Sequence, residues 1–503
     1  MNEFFFHVWI FALGMSWSLL ALPQLGAVVC CIQAYPVGLT LWVLVSLLIL
    51  LTGMPFDAPT VFCVAAAVGA TGVGLIVRAR FRRGEARAPI WTRRLVAQLV
   101  AAVALFTIVA WVATRFDISI WTFDSHVIVA IGRSIAYHGE ILPEMAREIG
   151  SRGVFQVLIQ ATSLFLDKTY LSANPAVLAA SFVVSFVVLG IRGLREAGKP
   201  SVRGIAATLL TVAAIATPYF FIVQSFYIHE TFAGAVYLFL AATGFWFAEL
   251  ECEKAWLPFA FLHLLAFSLQ RVDGPIVAMI LLVIVYGPSR LPGRSIDRGL
   301  LIFSGASLAW FGIQIALQGP GGDWVLRPRD PNLDPARLGV LMATYVLATA
   351  SLLSLHHPRM ARLRDRIPSL VLALMVCLLA ASAIWRPQYA EAAVAAVIGN
   401  TASPSWGGIW YVFLVLGALS LLVPKLPHGY ILAYGSLATL LFNLLLSLLH
   451  HQFSVRWSDS GNRMLIYLIP IFGFYLLMAH GRALLFIERR RRSERQSQRL
   501  TTA

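Results

Sequence analysis

Apolar residues along the chain are grouped into about fifteen blocks, each close to the ~20 residues that an α-helix needs to cross a bilayer. Pro23, Pro36 and Pro55 interrupt the first three blocks. This pattern predicts an all-α, polytopic membrane protein with about 13–15 transmembrane helices. The predicted spans lie near residues 5–24, 36–53, 58–77, 96–114, 173–191, 205–224, 230–248, 255–270, 274–287, 299–317, 338–355, 368–385, 408–423, 429–449 and 464–481.

Basic residues between the blocks predict the orientation of the chain. Most of the 39 Lys and Arg residues fall in alternate connections, as expected for cytoplasmic loops. This orientation divides the chain into three predicted regions: an N-terminal membrane unit with a basic loop (1–94), a transmembrane core (95–481) and a basic cytoplasmic tail (482–503). The predicted cytoplasmic segments are 78–95, 192–204, 249–254, 288–298, 356–367, 424–428 and the tail, and the predicted outer segments are 115–172, 225–229, 271–273, 318–337, 386–407 and 450–463.

Composition excludes a soluble enzyme of this length. Hydrophobic residues make up 59% and charged residues 13% of the chain, whereas soluble domains have about 45–50% and about 25%. The net charge of +15 is explained by topology rather than by nucleic-acid binding, and the basic tail is typical of contact with lipid headgroups. The high Ala, Arg and Trp content favours a bacterial inner membrane. Membrane lipids are therefore expected partners, and nucleic acid is not.

Several kinds of functional site have no counterpart in the sequence. The five cysteines show no spacing typical of a disulfide framework or a metal site. The sequence has no Walker phosphate loop, no His-Glu-x-x-His and no Gly-x-Ser-x-Gly. The short cytoplasmic loops leave no room for a nucleotide-binding domain, which argues against an ATP-driven pump and against a nucleotide-sugar donor on the inner face.

Segment 115–172 is the longest predicted outer connection, and parts of it are amphipathic. Apolar residues recur with helical spacing from Ile128 to Tyr137 and from Val154 to Phe165. This spacing predicts two helices lying on the outer membrane surface. An enzyme that acts on lipid-linked substrates needs such an element at the interface.

Asp124 stands in the sequence Trp-Thr-Phe-Asp-Ser-His, at the start of the first of these helices. Free backbone N–H groups at a helix N-terminus favour an ionised carboxylate. Such a carboxylate can act as a general base on a sugar hydroxyl, although an ordinary N-cap is the alternative. His126 and Arg133, on the same helix, are candidate substrate-binding residues, and Gly139 is expected to end the helix.

Three further charged clusters fall in predicted outer turns, where a charge near the membrane is costly and indicates a function. They are a tight polar turn at 227–230, a very short charged turn at 270–275 and the segment 456–463, whose arginines suit a phosphate headgroup. A polar turn, a local ion pair and anchoring at the interface are the respective alternatives. The candidate substrate-binding residues of these clusters are His229, Glu230, Arg271, Asp273, Arg456 and Arg463.

Together these clusters resemble the C-type membrane glycosyltransferases, multi-span enzymes that use polyprenyl-phosphate-linked sugars on the outer face of the membrane. Residues 123–139 are similar to the family's acidic loop and helix, residues 269–274 to its Leu-Thr-Arg-Pro-Glu-Gly turn, and residues 463–470 to its late Arg-Tyr-Leu-x-Pro segment. The matches follow the family's order and extend from about Val96 to the C-terminus. Phe123 stands where the family has the first of two acidic residues, which weakens the expectation of a divalent cation.

The resemblance implies that Asp124 is the catalytic carboxylate. It would take the proton from an acceptor hydroxyl, whose oxygen attacks the anomeric carbon as the phosphate leaves, with inversion of configuration. The donor phosphate would bind Arg463, with Arg456 or Arg271 beside it. The implied partners are a polyprenyl-phosphate-linked sugar donor and a glycan or glycolipid acceptor; no metal ligand is assigned, and a divalent cation remains open.

Two other classes of protein fit parts of the sequence. A secondary transporter or lipid flippase would place ionisable residues at mid-span, whereas here they gather at the predicted outer ends of spans. A polysaccharide polymerase or ligase of the O-antigen type would favour a large late outer loop with Arg and His. In this chain the large loop comes early, and segment 386–407 is modest.

Overall fold

The computed structural model describes residues 2–82, 92–142, 145, 149, 152–196, 199–271, 273–289, 293–318, 335–355, 360–449 and 460–501. Most of these residues are helical, which confirms the all-α class. Their helices are α1 (Glu3–Ser18), α2 (Leu22–Leu25), α3 (Ala27–Thr52), α4 (Ala58–Arg82), α5 (Arg93–Phe116), α6 (Phe123–His138), α7 (Phe155–Phe165), α8 (Asn174–Gly193), α9 (Val202–Ala216), α10 (Tyr219–Phe226), α11 (Glu230–Glu251), α12 (Trp256–Ser268), α13 (Gly274–Tyr286), α14 (Gly293–Gln318), α15 (Pro335–Ser354), α16 (Ala361–Arg364), α17 (Ile367–Trp385), α18 (Pro387–Thr401), α19 (Ile409–Leu419), α20 (Tyr430–Leu449), α21 (Ser460–Met464) and α22 (Leu468–Thr501).

Pairing between extended segments is sparse in the described part of the chain. Arg195–Glu196 pairs with Lys199–Pro200 in a short antiparallel hairpin between α8 and α9. A single parallel bridge joins Ile120 to Tyr227. The hairpin only connects two helices, whereas the bridge positions residues of the candidate site.

Ten of the described helical stretches are long and apolar enough to cross a membrane, which confirms a multi-pass membrane protein. An eleventh span is counted if α9 and α10, which are bent by 79° at a short break, act together. Pro218 lies in this break, and its ring removes a backbone donor that a continuous helix would need. The ten stretches are Glu3–Leu25, Ala27–Thr52, Ala58–Ala79, Leu95–Phe116, Asn174–Gly193, Glu230–Glu251, Ser295–Gln314, Ile367–Trp385, Tyr430–Leu448 and Asn462–Phe486.

Several other predicted spans are shorter helices in the structure. Helices α12 and α13 have 13 residues each, and α19 has 11, which is less than the ~20 residues that span a bilayer. The predicted total of about 13–15 spans is therefore reached only when such helices are counted. Segment 386–407, predicted as an outer connection, contains helix α18.

The chain forms two compact units, the first comprising Met1–Phe182 and Val223–Val371. Its core includes α11, whose apolar window is completely buried. Helices α1 and α3 pack backbone against backbone: a Cβ atom on Gly14 would lie 1.7 Å from the Ala34 carbonyl oxygen, and one on Gly38 would lie 1.9 Å from a carbonyl of α1. Small residues permit this close approach, which is a main source of helix association in membranes.

Buried polar groups connect the N-terminal helices of the first unit to segment 115–172. The Glu3 carboxylate is fully buried and accepts hydrogen bonds from Lys168 Nζ at 2.6 Å and from the backbone N–H of Ala173 at 2.8 Å. His7 lies 3.6 Å from the same carboxylate, and its Nδ1 is 2.9 Å from the Tyr35 hydroxyl. Helices of the predicted N-terminal region thus pack in the same unit as segment 115–172.

The second unit comprises Val183–Ile222 and Leu372–Ala503. Close helix packing in this unit again depends on glycine: a Cβ atom on Gly190 would lie 2.5 Å from the Thr208 side chain. Trp406 donates a 2.8 Å hydrogen bond to the Asn462 side chain, which ties a short turn to the start of the C-terminal helical segment.

Candidate functional site

Asp124 lies in the first turn of α6, as its sequence context predicts. Thr122 is the N-cap, and it forms a capping box with Ser125 in which each side chain contacts the backbone of the other residue. Gly139 ends the helix in the left-handed conformation, also as expected. The chain therefore fixes both ends of α6 locally and holds Asp124 beside the free N–H groups of its first turn.

A backbone contact between two distant segments brings a second side chain to Asp124. The Ile120 N–H donates a 2.7 Å hydrogen bond to the Phe226 carbonyl, within the parallel bridge to Tyr227. The Tyr227 hydroxyl consequently contacts the Thr122 hydroxyl and donates to Asp124 Oδ2 at 3.1 Å.

The Asp124 carboxylate accepts a hydrogen bond from an arginine and lies near a histidine. Arg152 Nη1 donates to Asp124 Oδ1 at 2.8 Å, and His229 Nε2 lies 3.7 Å from Asp124 Oδ2. The side chains of Asp124 and Arg152 remain 23% and 19% exposed. The ion pair is thus oriented by its neighbours and still accessible to a ligand.

Arg152 is held in place by a glycine that docks on another turn. Gly153 has φ +74°, and a Cβ atom at this position would lie 2.2 Å from the backbone of Gln270. The N–H groups of Val154 and Phe155 both donate to the Leu269 carbonyl, at 3.0 and 3.2 Å. The start of α7 is therefore fixed against the turn between α12 and α13.

A chain of charged groups continues from His229 to that same turn. His229 Nδ1 lies 3.1 Å from Glu230 Oε2, and Glu230 Oε1 lies 3.7 Å from Arg271 Nη1. Arg271 Nε donates to Asp273 Oδ1 at 3.0 Å. The Glu230 side chain is only 3% exposed, so its charge depends on these partners.

The His229 ring is oriented from two sides. It stacks on the Tyr227 ring with centroids 4.9 Å apart, and the backbone N–H of Thr231 points to its Nδ1 at 3.2 Å. The Thr231 hydroxyl lies 2.7 Å from the same nitrogen, and Nε2 faces Asp124. We refer to the connected side chains as the Asp124 cluster; its members are Asp124, Arg152, Tyr227, His229, Glu230, Arg271 and Asp273.

Four other residues were predicted to bind substrate, and His126 and Arg133 make other contacts within the first unit. His126 accepts from Trp121 Nε1 on a different face of α6, and Arg133 donates to the backbone carbonyls of Lys168 and Thr169 at 2.5 and 3.1 Å. Arg463 is a half-buried residue of the second unit, and Arg456 lies outside the described residues. The binding roles of all four residues remain predictions.

Two members of the cluster, Arg152 and Tyr227, were not among the residues predicted from the sequence. Gln270 opens the charged turn but was not predicted to be a site residue; its amide is buried, and among the described residues neither its oxygen nor its nitrogen has a hydrogen-bond partner. The only sequence signal for the contact between Arg152 and Asp124 is the position of Arg152, just before the predicted amphipathic helix at 154–165. Its partner is 28 residues away in the chain, so periodicity could not show the pair.

The cluster offers a carboxylate to a ligand rather than a ligand set for a metal. Within the described ranges, no group of three His, Cys, Asp or Glu residues is arranged to hold a metal ion. Asp124 is paired with a guanidinium, which competes with a cation for the same oxygens. A carboxylate in this arrangement can accept a proton or bind a hydroxyl group, while the nearby guanidinium groups suit an anion.

Comparisons of the chain with protein-family models, with curated proteins and with solved structures find no match.

Proposed function

We propose that this protein is a membrane glycosyltransferase that moves a sugar from a polyprenyl-phosphate-linked donor to a hydroxyl group of a glycan or glycolipid. The observation that carries the proposal is the Asp124 carboxylate, oriented by a helix N-terminus, Arg152 and Tyr227 and still partly exposed. Its place on the outer face of a bacterial inner membrane is part of the same proposal.

In the proposed reaction, Asp124 acts as the general base. It takes the proton from the acceptor hydroxyl, and the oxygen of that hydroxyl attacks the anomeric carbon of the donor. The bond between the anomeric carbon and the phosphate oxygen breaks, and the phosphate leaves with the electron pair. A single displacement of this kind inverts the configuration at the anomeric carbon.

The leaving phosphate gains negative charge, and preorganised cations lower the barrier most where that charge develops. Two guanidinium groups lie in the Asp124 cluster: Arg152 contacts Asp124 directly, and Arg271 follows after His229 and Glu230. Both are partly exposed. We assign phosphate binding in the first unit to these groups, and the role of Arg463 remains a prediction.

The positions of the charges favour transfer over transport. Asp124, Arg271 and Asp273 lie outside the ten candidate spans, and Glu230 is the first residue of its span. A transport path needs ionisable groups near mid-span. An enzyme that acts on a lipid-linked sugar needs them at a helix end, where the headgroup of the substrate lies.

Deleting the gene and analysing the cell's glycans and glycolipids by mass spectrometry tests the proposed reaction. A glycosyltransferase predicts an acceptor that lacks the mass of one sugar, and the wild-type gene should restore that mass. A flippase would instead leave a complete lipid-linked precursor, and a polymerase or ligase would leave unjoined repeat units. Either of these results, or no change in any glycan, would contradict the proposal.

A further inference from the structure

A cavity of about 390 Å³ lies within the second unit, at the ends of two candidate spans. Gly193 is the last residue of one span, and the final turns of the span Asn462–Phe486 form another wall. The segment Pro424–Pro427 closes a third side. Span ends are at the level of lipid headgroups, and the volume is within the ~300–1,000 Å³ range of small-molecule sites.

The charged residues that line this cavity are all basic. Arg195, Lys425 and Arg482 contribute to its walls, and the described lining residues include no acid. Arg482 Nε donates to the Gly193 carbonyl at 3.1 Å, which fixes its guanidinium at the junction of the two helices. The other walls are apolar and include Leu485 and Phe486. Positive charge beside apolar surface suits a group that is an anion at one end and a hydrocarbon at the other.

Local structure places each of the basic residues there. Arg195 begins the hairpin that follows α8. Lys425 stands between Pro424 and Pro427, which restrict the backbone of this segment. A Cβ atom on Gly481 would lie 2.7 Å from Leu194, so glycine allows α22 to approach the end of α8 and brings Arg482 to the cavity. The three segments were each predicted to be cytoplasmic, and here they form one cavity.

We propose that this cavity binds the phosphate of an anionic phospholipid, with the headgroup among Arg195, Lys425 and Arg482 and the acyl chains along Leu485 and Phe486. Guanidinium and ammonium groups bind phosphate through charge-assisted hydrogen bonds. The residues that line the cavity are not members of the Asp124 cluster, and the proposal does not depend on the proposed glycosyl transfer. A soluble phosphate ester would share the same chemistry, and the test distinguishes the two sources.

The test measures lipid bound to the full-length protein. The protein is reconstituted in phosphatidylcholine nanodiscs that contain a minor fraction of phosphatidylglycerol, and retained phosphatidylglycerol is counted by native mass spectrometry. The variant R195Q/K425Q removes two exposed charges and leaves the partly buried Arg482 in place, so it should fold. The matched control R490Q/R491Q removes two charges from the basic tail.

We expect the wild type and the tail variant to retain phosphatidylglycerol and the cavity variant to retain at least about tenfold less, because each direct charge-assisted hydrogen bond to the phosphate contributes about a factor of ten. Equal losses in both variants would indicate diffuse attraction and overturn the proposal, as would full retention by R195Q/K425Q. In a second arm, inorganic phosphate is added to the protein in pure phosphatidylcholine. A rise in the unfolding temperature there, without retained phosphatidylglycerol, would show a site for soluble phosphate and overturn the lipid assignment.

Discussion

Asp124 combines two properties that a general base requires. Arg152 and Tyr227 fix the direction of its carboxylate, and the side chain is still 23% exposed. A carboxylate has about four lone-pair sites, so donors that orient it do not prevent it from accepting a proton.

At the scale of single residues, we predict that the Arg152→Gln variant folds normally but has a kcat about 10–100-fold lower than the wild type. The variant loses the hydrogen bond to the Asp124 carboxylate, and a hydrogen bond to a charged group is worth about 1.5–3 kcal/mol. Arg152→Lys should recover part of the rate because it keeps the charge near Asp124 Oδ1. The measurement is kcat and KM for sugar transfer by the two purified variants. An unchanged rate for Arg152→Gln would remove the residue from the proposed site.

At the scale of the elements, the site depends on short connections rather than on the long helices. The turn between α12 and α13 accepts two backbone hydrogen bonds from the start of α7, and Gly153 lies against it. This contact positions both Arg152 and Arg271. Their relative placement is therefore set by backbone docking between two turns.

Two glycines with nearly the same backbone conformation provide a matched test of this docking. Among the described residues, no atom lies within 4 Å of where a Cβ atom on Gly139 (φ +75°) would stand, whereas a Cβ atom on Gly153 (φ +74°) would lie 2.2 Å from Gln270. Gly139→Ala should cost only the left-handed backbone energy of about 1–2 kcal/mol. Gly153→Ala should cost about 1–3 kcal/mol more, because neighbouring backbone must move.

The measurement is the unfolding temperature of the two alanine variants and of the wild type in detergent. The Gly153 variant should unfold at the lower temperature and lose transfer activity, while the Gly139 variant keeps its activity. If both variants lost the same stability, the close contact between Gly153 and Gln270 would not exist in the folded protein.

Prediction from sequence succeeded for elements with a clear local pattern. The capping residues before Asp124 and the apolar spacing after it define α6, and the second amphipathic stretch is the helix α7, although nine of its eleven residues are buried and not only its apolar face. Sequence spacing did not show that α12 and α13 would be only 13 residues long. Their blocks are continuous in hydropathy, and the length of a helix within such a block depends on where the turn packs.

At the scale of the whole molecule, the first unit joins segments that are far apart in the sequence. The buried Glu3 pairs with the partly exposed Lys168 across 165 residues, and Asp124 contacts Tyr227 across 103. A single sequence does not show which distant residues are in contact. The positive-inside pattern placed five residues of the cluster on one predicted face but could not show that they contact one another: Asp124, His229, Glu230, Arg271 and Asp273. The structure supplies the connections, and catalysis by these residues remains the proposal.

The Glu3 ion pair predicts that the N-terminal helices contribute to the stability of the first unit. Glu3→Gln should lower the free energy of unfolding by about 1.5–3 kcal/mol, because glutamine is neutral and its one acceptor oxygen cannot replace both carboxylate oxygens, which accept from Lys168 Nζ and the Ala173 N–H. Asp57→Asn is the control, since Asp57 is an exposed carboxylate that accepts from the Thr60 N–H, a bond that asparagine can also accept. Chemical unfolding of both variants in detergent provides the comparison, and equal stabilities would contradict a structural role for Glu3.

The rate of sugar transfer by Asp124→Asn tests the central claim most directly. The control is Asp117→Asn, which makes the same change seven residues earlier, at a left-handed position that asparagine tolerates. We predict that Asp124→Asn inserts into the membrane normally and transfers sugar about 10²–10⁴-fold more slowly, the usual loss for a missing general base, while Asp117→Asn retains the wild-type rate. Wild-type transfer by Asp124→Asn would contradict the account.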